Sequence, residues 1–245
     1  MNLQNKNIVV TGATGGICRE LVKTLDSEGA NLILISKSAD ELENQTRELQ
    51  SKSFPYACDF TDVQEIEKLA KKISKEFKSI DVLINAAGIG VYKYLDEETL
   101  EEWNNSMCIN VTSQFLMSKY LIKNLKKAHG AVVINIGSGA GVIPMAGRSI
   151  YCATKFAVRG LTLSLAEEYR RTSVDFCLIT LGSVLTGFGP MSFEEKKKEM
   201  EKGKKAYFTP DWVAKKLISI IKDDDRRSEY TLFPSNYASE WKGGK

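Results

Sequence analysis

Short runs of consecutive apolar residues, rich in valine and isoleucine, alternate along the chain with segments whose apolar residues recur every three or four positions. The runs predict strands over residues 7–11, 31–36, 55–58, 82–85, 131–138 and 174–181. The periodic segments predict helices over 16–28, 40–52, 63–75, 99–127 (interrupted midway) and 151–171, with another starting near Asp211. Runs such as "LILI" and "AVVINI" are apolar without alternation. That is the pattern of strands covered on both faces in a parallel sheet. The βαβ alternation implies right-handed crossovers. The expected fold is therefore α/β, a doubly wound parallel sheet of Rossmann type. No repeat, low-complexity tract or Pro/Ser linker divides it, so one domain over 1–245 is expected.

Ligands of such sheets bind at the carboxyl ends of the strands, and the chemically suggestive residues fall there. "TGATGGIC" follows the first strand, with Gly12 and Gly16 flanking a turn that opens a helix. Glycines let phosphates approach the backbone, and the helix start supplies N–H donors. Cys18 stands where a dinucleotide loop has its third glycine. That glycine mainly permits close helix–strand packing, and a cysteine is small and tolerates burial. After later strands come Asp59 in "CDFTD", "NAAG" from Asn85 to Gly88, and Ser138 in "IGSGAG". "YCATK" then sets Tyr151 and Lys155 four apart on one helix face. A nearby ammonium favours the phenolate of a tyrosine whose free pKa is about 10, moving it toward working pH. A serine hydroxyl can hold a carbonyl oxygen as it gains charge.

Composition narrows the class. The chain is 43% hydrophobic, enough for a large core, and its net charge of +3 gives no sign of a nucleic-acid binder. Five widely spaced cysteines without a C-x-x-C pair fit reduced thiols in the cytoplasm rather than disulfides or zinc. His129 is the only histidine and precedes Gly130 at a helix end, which speaks against a Ser-His-Asp hydrolase and a histidine-rich metal site. No apolar run reaches the ~20 residues of a membrane span, and "MNLQNKN" lacks the apolar stretch of a secretion signal. Neither metal, membrane nor nucleic acid is expected.

Taken in order, "TGATGGIC", "CDFTD", "NAAG", "IN" with Asn110, "IGS", "YCATK" and "GSVLT" resemble the classical short-chain dehydrogenase/reductase family from about Lys6 to about Asp211. The resemblance implies that Tyr151 is the general acid–base. Lys155 would lower its pKa and bond the nicotinamide ribose. Ser138 would polarise the substrate carbonyl, and Asn110 would hold a water in a proton relay behind Lys155. Asp59, with Phe60 beside it, would bind the adenine. Asn85, Ala86 and Gly88 would floor the cofactor. Val184 and Thr186, with Gly182 nearby, would meet the nicotinamide amide. Gly12, Thr14, Gly15, Gly16 and Ile17 would carry the pyrophosphate. Leu181 departs from the family, which usually has proline there.

The residues after the second strand bear on which nucleotide binds. An NAD site usually has a carboxylate there for the ribose 2′-hydroxyl, whereas this chain has Ser36, Lys37 and Ser38. A base between hydroxyls suits a 2′-phosphate, so NADP is expected over NAD. Arg19 is a second base whose direction the sequence leaves open. The function expected is interconversion of a ketone or aldehyde and an alcohol on a small molecule, with a 3-oxoacyl thioester as an alternative substrate class. The rivals are a nucleotide-binding sensor without turnover, for which only Cys18 and Leu181 speak, and an epimerase or dehydratase, which usually needs a larger C-terminal domain. Candidate pocket residues are Ile89, Val91, Tyr92, Val142, Ile143, Leu185, Phe188, Met191 and Phe193. The charge-dense stretch 187–207 is expected to be a mobile lid, its lysines available to an acidic group. Dimer or tetramer contacts are expected on the helices over 112–127 and 151–171.

Overall fold

A computed structural model describes residues 1–237; the last eight positions of the expected domain, 238–245, lie outside it. Seven strands form one parallel sheet in the order β3-β2-β1-β4-β5-β6-β7. They are β1 (Asn7–Thr11), β2 (Asn31–Ser36), β3 (Ser53–Ala57), β4 (Val82–Asn85), β5 (Ala131–Ile136), β6 (Val174–Leu181) and β7 (Glu229–Leu232). The helices are α1 (Gly16–Ser27), α2 (Ala39–Arg47), α3 (Val63–Glu76), α4 (Leu100–Met107), α5 (Ser113–Leu125), α6 (Ser149–Tyr169), α7 (Phe193–Glu201) and α8 (Pro210–Lys222). The doubly wound expectation holds. The chain reverses its winding at β1, which pairs with β2 on one side and β4 on the other. A switch point of this kind opens a crevice at the strand ends.

Alternate residues of the five inner strands feed two separate apolar layers. Ile8, Val10, Leu32, Leu34, Ile84 and Ile134 pack with Leu21, Val22 and Leu25 of α1 and Val213 and Leu217 of α8. Val9, Ile33, Leu83 and Val133 face Ile66, Leu69 and Ile73 of α3 and Leu116, Met117 and Leu121 of α5. Burial on both faces explains why the strands read as unbroken apolar runs. Side chains set several helix starts. Asp62 accepts from Gln64 and Glu65 N–H before α3, and Thr209 accepts from Trp212 N–H with Pro210 leading α8.

The differences from expectation are local. β7 has no counterpart among the expected strands: "EYTL" is short and buries only alternate residues. Its Glu229 accepts from Arg159 Nε and Nη2 at 3.1 and 2.9 Å and from Thr180 Oγ1 at 3.1 Å, which fastens α6 and β6 to the sheet edge. β5 stops at Ile136, freeing Gly137 and Ser138 for the exit loop. The helix expected over 99–127 is broken by a π-helical turn over Cys108–Thr112. The charged stretch holds α7, with Ser192 and Glu195 in a reciprocal cap. Phe115 on α5 and Phe156 on α6 are exposed, on the two helices expected to meet other subunits.

Cys18 is buried among the residues that join α1 to the sheet and α8, and burial pushes its thiol up to about 12. It acts as a small apolar group, as expected of a cysteine in the glycine's place. Leu181 continues β6 and pairs with Leu232, so the missing proline is replaced by one more rung of the ladder.

Candidate active site

The strand ends and α1 enclose a cavity of about 820 Å³, within the range of small-molecule and cofactor sites. One end is the glycine turn. Gly12 has φ of +68°, and a Cβ there would stand 2.9 Å from the Ala87 backbone, so only glycine lets the loops after β1 and β4 meet. Thr11 Oγ1 ties the same loops by accepting from Ala86 and Ala87 N–H at 3.0 and 3.2 Å. No side chain caps α1, and its first turn carries no carboxylate, which leaves the helix start open to an anion.

At the other end lie Ser138, Tyr151 and Lys155, all lining the cavity. Ser138 caps a short turn, its Oγ accepting from Ala140 N–H at 3.2 Å. That turn lies hard against α6: a Cβ on Gly141 would stand 2.6 Å from Lys155 O. Close approach through Gly141 is what brings the serine to the tyrosine.

Asn110 is fully buried in the π-helical turn. Its Oδ1 accepts from Ile89 N–H at 2.8 Å, and its Nδ2 donates to Ile89 O at 2.8 Å and Thr154 Oγ1 at 3.0 Å. π turns recur at functional sites because they re-aim one side chain within a helix. Here the turn points Asn110 at Gly88, whose Cβ position would lie 3.3 Å from Oδ1 and 3.9 Å from Lys155 Nζ.

Burial dominates the electrostatics. It holds the Tyr151 phenol above its usual pKa, while hydrogen bonding with Ser138 and the charge of Arg148 pull it down. This corrects the expectation for Lys155, which is not among the groups that lower it. The ammonium instead donates to Ile136 O at 2.9 Å, lies 5.7 Å from the Tyr151 ring centroid, and is itself depressed to about 8 by burial.

The expected cofactor residues divide. Gly12, Thr14, Gly15, Gly16, Ile17, Ser36, Ala86, Gly88, Gly182, Val184 and Thr186 line the cavity. Asn85 lies beneath it, donating to Asn135 Oδ1 at 2.8 Å, and Phe60 belongs to the apolar layer. Ser38 caps α2 by accepting from Glu41 N–H. Ser36 Oγ is 2.7 Å from Thr14 Oγ1. Lys37 and Asp59 form an ion pair at 2.8 Å, and this bond, with those from Thr61, lowers the Asp59 carboxyl to about 2. Lys37 is thus neither free nor a cavity wall. Arg19 donates from Nε to Thr14 O at 2.7 Å and pairs with Glu41 at 3.3 Å, so it bridges the loop after β1 and the first turn of α2.

Of the pocket candidates, Tyr92, Ile143, Phe188 and Met191 line the cavity; Ile89, Val91, Val142, Leu185 and Phe193 do not. Among the cavity residues not singled out in the sequence are two basic ones with distinct surroundings. Arg148 is three positions before Tyr151, a helical spacing that could have marked it. Lys196 sits in the charge run, yet it is buried and donates to Thr186 O at 2.8 Å and to Phe188 O. Nothing in the charge pattern separates it from its exposed neighbours.

Comparison with known proteins identifies the family. Residues 6–197 match the short chain dehydrogenase family. The chain is 36% identical over 171 residues to an uncharacterised oxidoreductase of Thermotoga maritima, covering 69% of this chain and 68% of that protein. It is 33% identical to a 3-oxoacyl acyl-carrier-protein reductase of Haemophilus influenzae, covering 80% and 81%. It superposes with a TM-score of 0.80 on a metagenomic short-chain oxidoreductase in complex with NADP, at 27% identity over 96% and 99% of the two chains.

The buried ammonium of Lys155 predicts a stability effect. Its folded pKa of about 8 lies below the ordinary 10.5. Below pH 8 the group is charged in both states and the burial cost is fully present; above 10.5 it is neutral in both and the cost is gone. Lys155→Met should therefore raise stability, on the order of 1–3 kcal/mol at neutral pH, with the gain shrinking as pH rises from 8 to 10.5. Thermal unfolding of both proteins across that range checks it; a less stable variant at pH 7 would contradict the assignment.

Proposed function

The chain belongs to the short chain dehydrogenase family and is an oxidoreductase of alcohol and carbonyl groups, and we propose that it is an NADP(H)-preferring enzyme using Ser138, Tyr151, Lys155 and Asn110. One observation carries this reading: the buried Tyr151 hydroxyl and Ser138 face one cavity whose other end is an uncapped glycine-rich helix start. Such a cavity fits an extended dinucleotide with its phosphates on α1 and its nicotinamide beside the tyrosine.

Bound NADPH supplies the hydride that reaches the carbonyl carbon. Ser138 donates a hydrogen bond to the carbonyl oxygen as negative charge develops there. Tyr151 gives that oxygen its proton; burial keeps the phenol protonated until then. Lys155, without a carboxylate partner among the described residues, adds a positive charge beneath the site, while Ser138 and Arg148 are the groups that favour the phenolate left behind. Asn110, joined to Ile89 and Thr154, holds the relay that returns a proton to the tyrosine.

The preference for NADP rests on the strand-end residues. Ser36, Thr14 and Lys37 offer two hydroxyls and a base, with Arg19 close by. The Asp59 carboxylate beside them is already neutralised by Lys37. A thioester substrate is a second reading, favoured by the relative from Haemophilus influenzae.

Tyr151→Phe should lower turnover of carbonyl compounds by about 10²–10⁴ with cofactor affinity nearly unchanged. More than about a tenth of the wild-type rate would remove Tyr151 from its role.

Lys37→Ala should lower kcat/KM for NADPH roughly tenfold and leave NADH nearly untouched. A 2′-phosphate has to draw the lysine from Asp59, which keeps the effect modest. Equal loss with both cofactors, or a wild type that prefers NADH, would contradict it.

The segment 187–207 is the lid of this reading, latched through Lys196 to the Thr186 and Phe188 carbonyls. Its amide hydrogen exchange should slow when NADP⁺ and an alcohol product bind together. Exchange unchanged by both would make it a fixed wall.

A further inference from the structure

The charges around the cavity are one-sided. Arg148, Lys155, Lys196 and Lys205 line it, and no aspartate or glutamate does. Lys155 and Lys196 are committed to backbone carbonyls, at Ile136 and at Thr186 and Phe188 respectively. Arg148 and Lys205 form no ion pair among the described residues. Lys205 stands over the Tyr207 ring and is felt by Lys196, on the lid side.

Arg148 is placed differently. It immediately precedes α6, three residues before Tyr151. Its guanidinium lies 5.4 Å from the Tyr92 ring centroid, and its Nη1 contacts Met145 Sδ at 3.5 Å. Tyr92 and Phe188 each stack obliquely on Tyr151, with ring centroids 6.0 Å apart. The guanidinium is therefore one ring away from the reacting hydroxyl, and its charge acts on both phenols. The carboxylate at this helix start is Glu98, and it serves Ser149 Oγ at 2.7 and 2.6 Å and Ile150 N–H at 3.4 Å. The helix start is thus already satisfied, and Arg148 is left pointing its charge into the cavity.

A planar guanidinium held against an aromatic face, half-buried and without a carboxylate, is a preorganised receptor for an oxyanion. Resting on the carbonyl-reductase reading, we propose that the substrate carries its own negative charge, a carboxylate or a phosphate, and that Arg148 is the residue that recognises it. Tyr92, Phe188 and Met145 then flank the short carbon chain between that anion and the carbonyl at Ser138 and Tyr151. Arg148 determines specificity and takes no part in hydride or proton transfer.

The test uses matched pairs with NADPH: dihydroxyacetone phosphate against dihydroxyacetone, and acetoacetate and levulinate against their methyl esters. Wild type, Arg148→Gln and Arg148→Lys are compared. In the wild type at least one charged member should exceed its neutral twin roughly tenfold or more in kcat/KM. Arg148→Gln should remove about 10- to 100-fold of that advantage, mainly through KM, and Arg148→Lys should keep part of it. Preference in the phosphate pair alone assigns a phosphate, and preference in the acid–ester pairs assigns a carboxylate. A wild type that uses charged and neutral members equally, or a Gln variant that loses both alike, overturns the proposal. If no compound consumes NADPH, the reductase reading fails on its own terms, and calorimetry with the same anions on the NADP⁺-loaded protein decides the anion site. Binding weakened tenfold or more by Arg148→Gln sustains it, and absent or unchanged binding overturns it.

Discussion

The two-way clasp of Asn110 on the Ile89 backbone holds the whole active end of the molecule in register. One side chain satisfies both the N–H and the C=O of the loop leaving β4, and reaches Thr154 on α6 with its remaining donor hydrogen. Three elements distant in sequence are thereby fixed by a single buried amide. Leaving any of these buried polar groups unpaired costs on the order of 1–3 kcal/mol, so the arrangement has little freedom to slip. The π-helical turn is the backbone's share of this constraint, because a regular helix would aim position 110 elsewhere.

The chemical consequence is a set of buried groups whose charges are not cancelled by carboxylates. Tyr151 and Lys155 each lose solvation, which raises the phenol and lowers the ammonium, so their pKa values move apart and the ammonium becomes the stronger acid of the two. The same absence of acid around the cavity underlies both proposed anion sites, one for the cofactor's phosphates at α1 and one for a charged substrate at Arg148. In the proposed reading a single physical feature, uncompensated positive potential in a crevice, serves binding and catalysis together.

Most of the fold is legible in the sequence because burial on both faces writes itself as unbroken apolar runs, and the five inner strands carry that signature. β7 does not, since a four-residue edge strand has almost no periodic pattern. At the site, the residues that sit directly at strand ends are readable from position alone. The failures come from pairings between distant residues. Lys37 and Asp59 are each expected on the cofactor, yet they meet each other, a contact set by the neighbouring ends of β2 and β3. Lys196 looks like any surface lysine, and only the path of the loop over Thr186–Phe188 buries it. The expected effect of Lys155 on Tyr151 is overstated because sequence gives proximity but not desolvation.

Hydride transfer between a nicotinamide and a carbonyl at Tyr151 is the central claim, and isotope transfer tests it most directly. NADPH carrying deuterium at nicotinamide C4 can be incubated with the wild-type protein and a panel of ketones and aldehydes, and the alcohols analysed by mass spectrometry. Deuterium is expected on the carbinol carbon of a product, at a rate the cofactor's oxidation matches. A protein that binds NADPH tightly yet transfers no label to any carbonyl would contradict the claim and leave a nucleotide-binding sensor in its place.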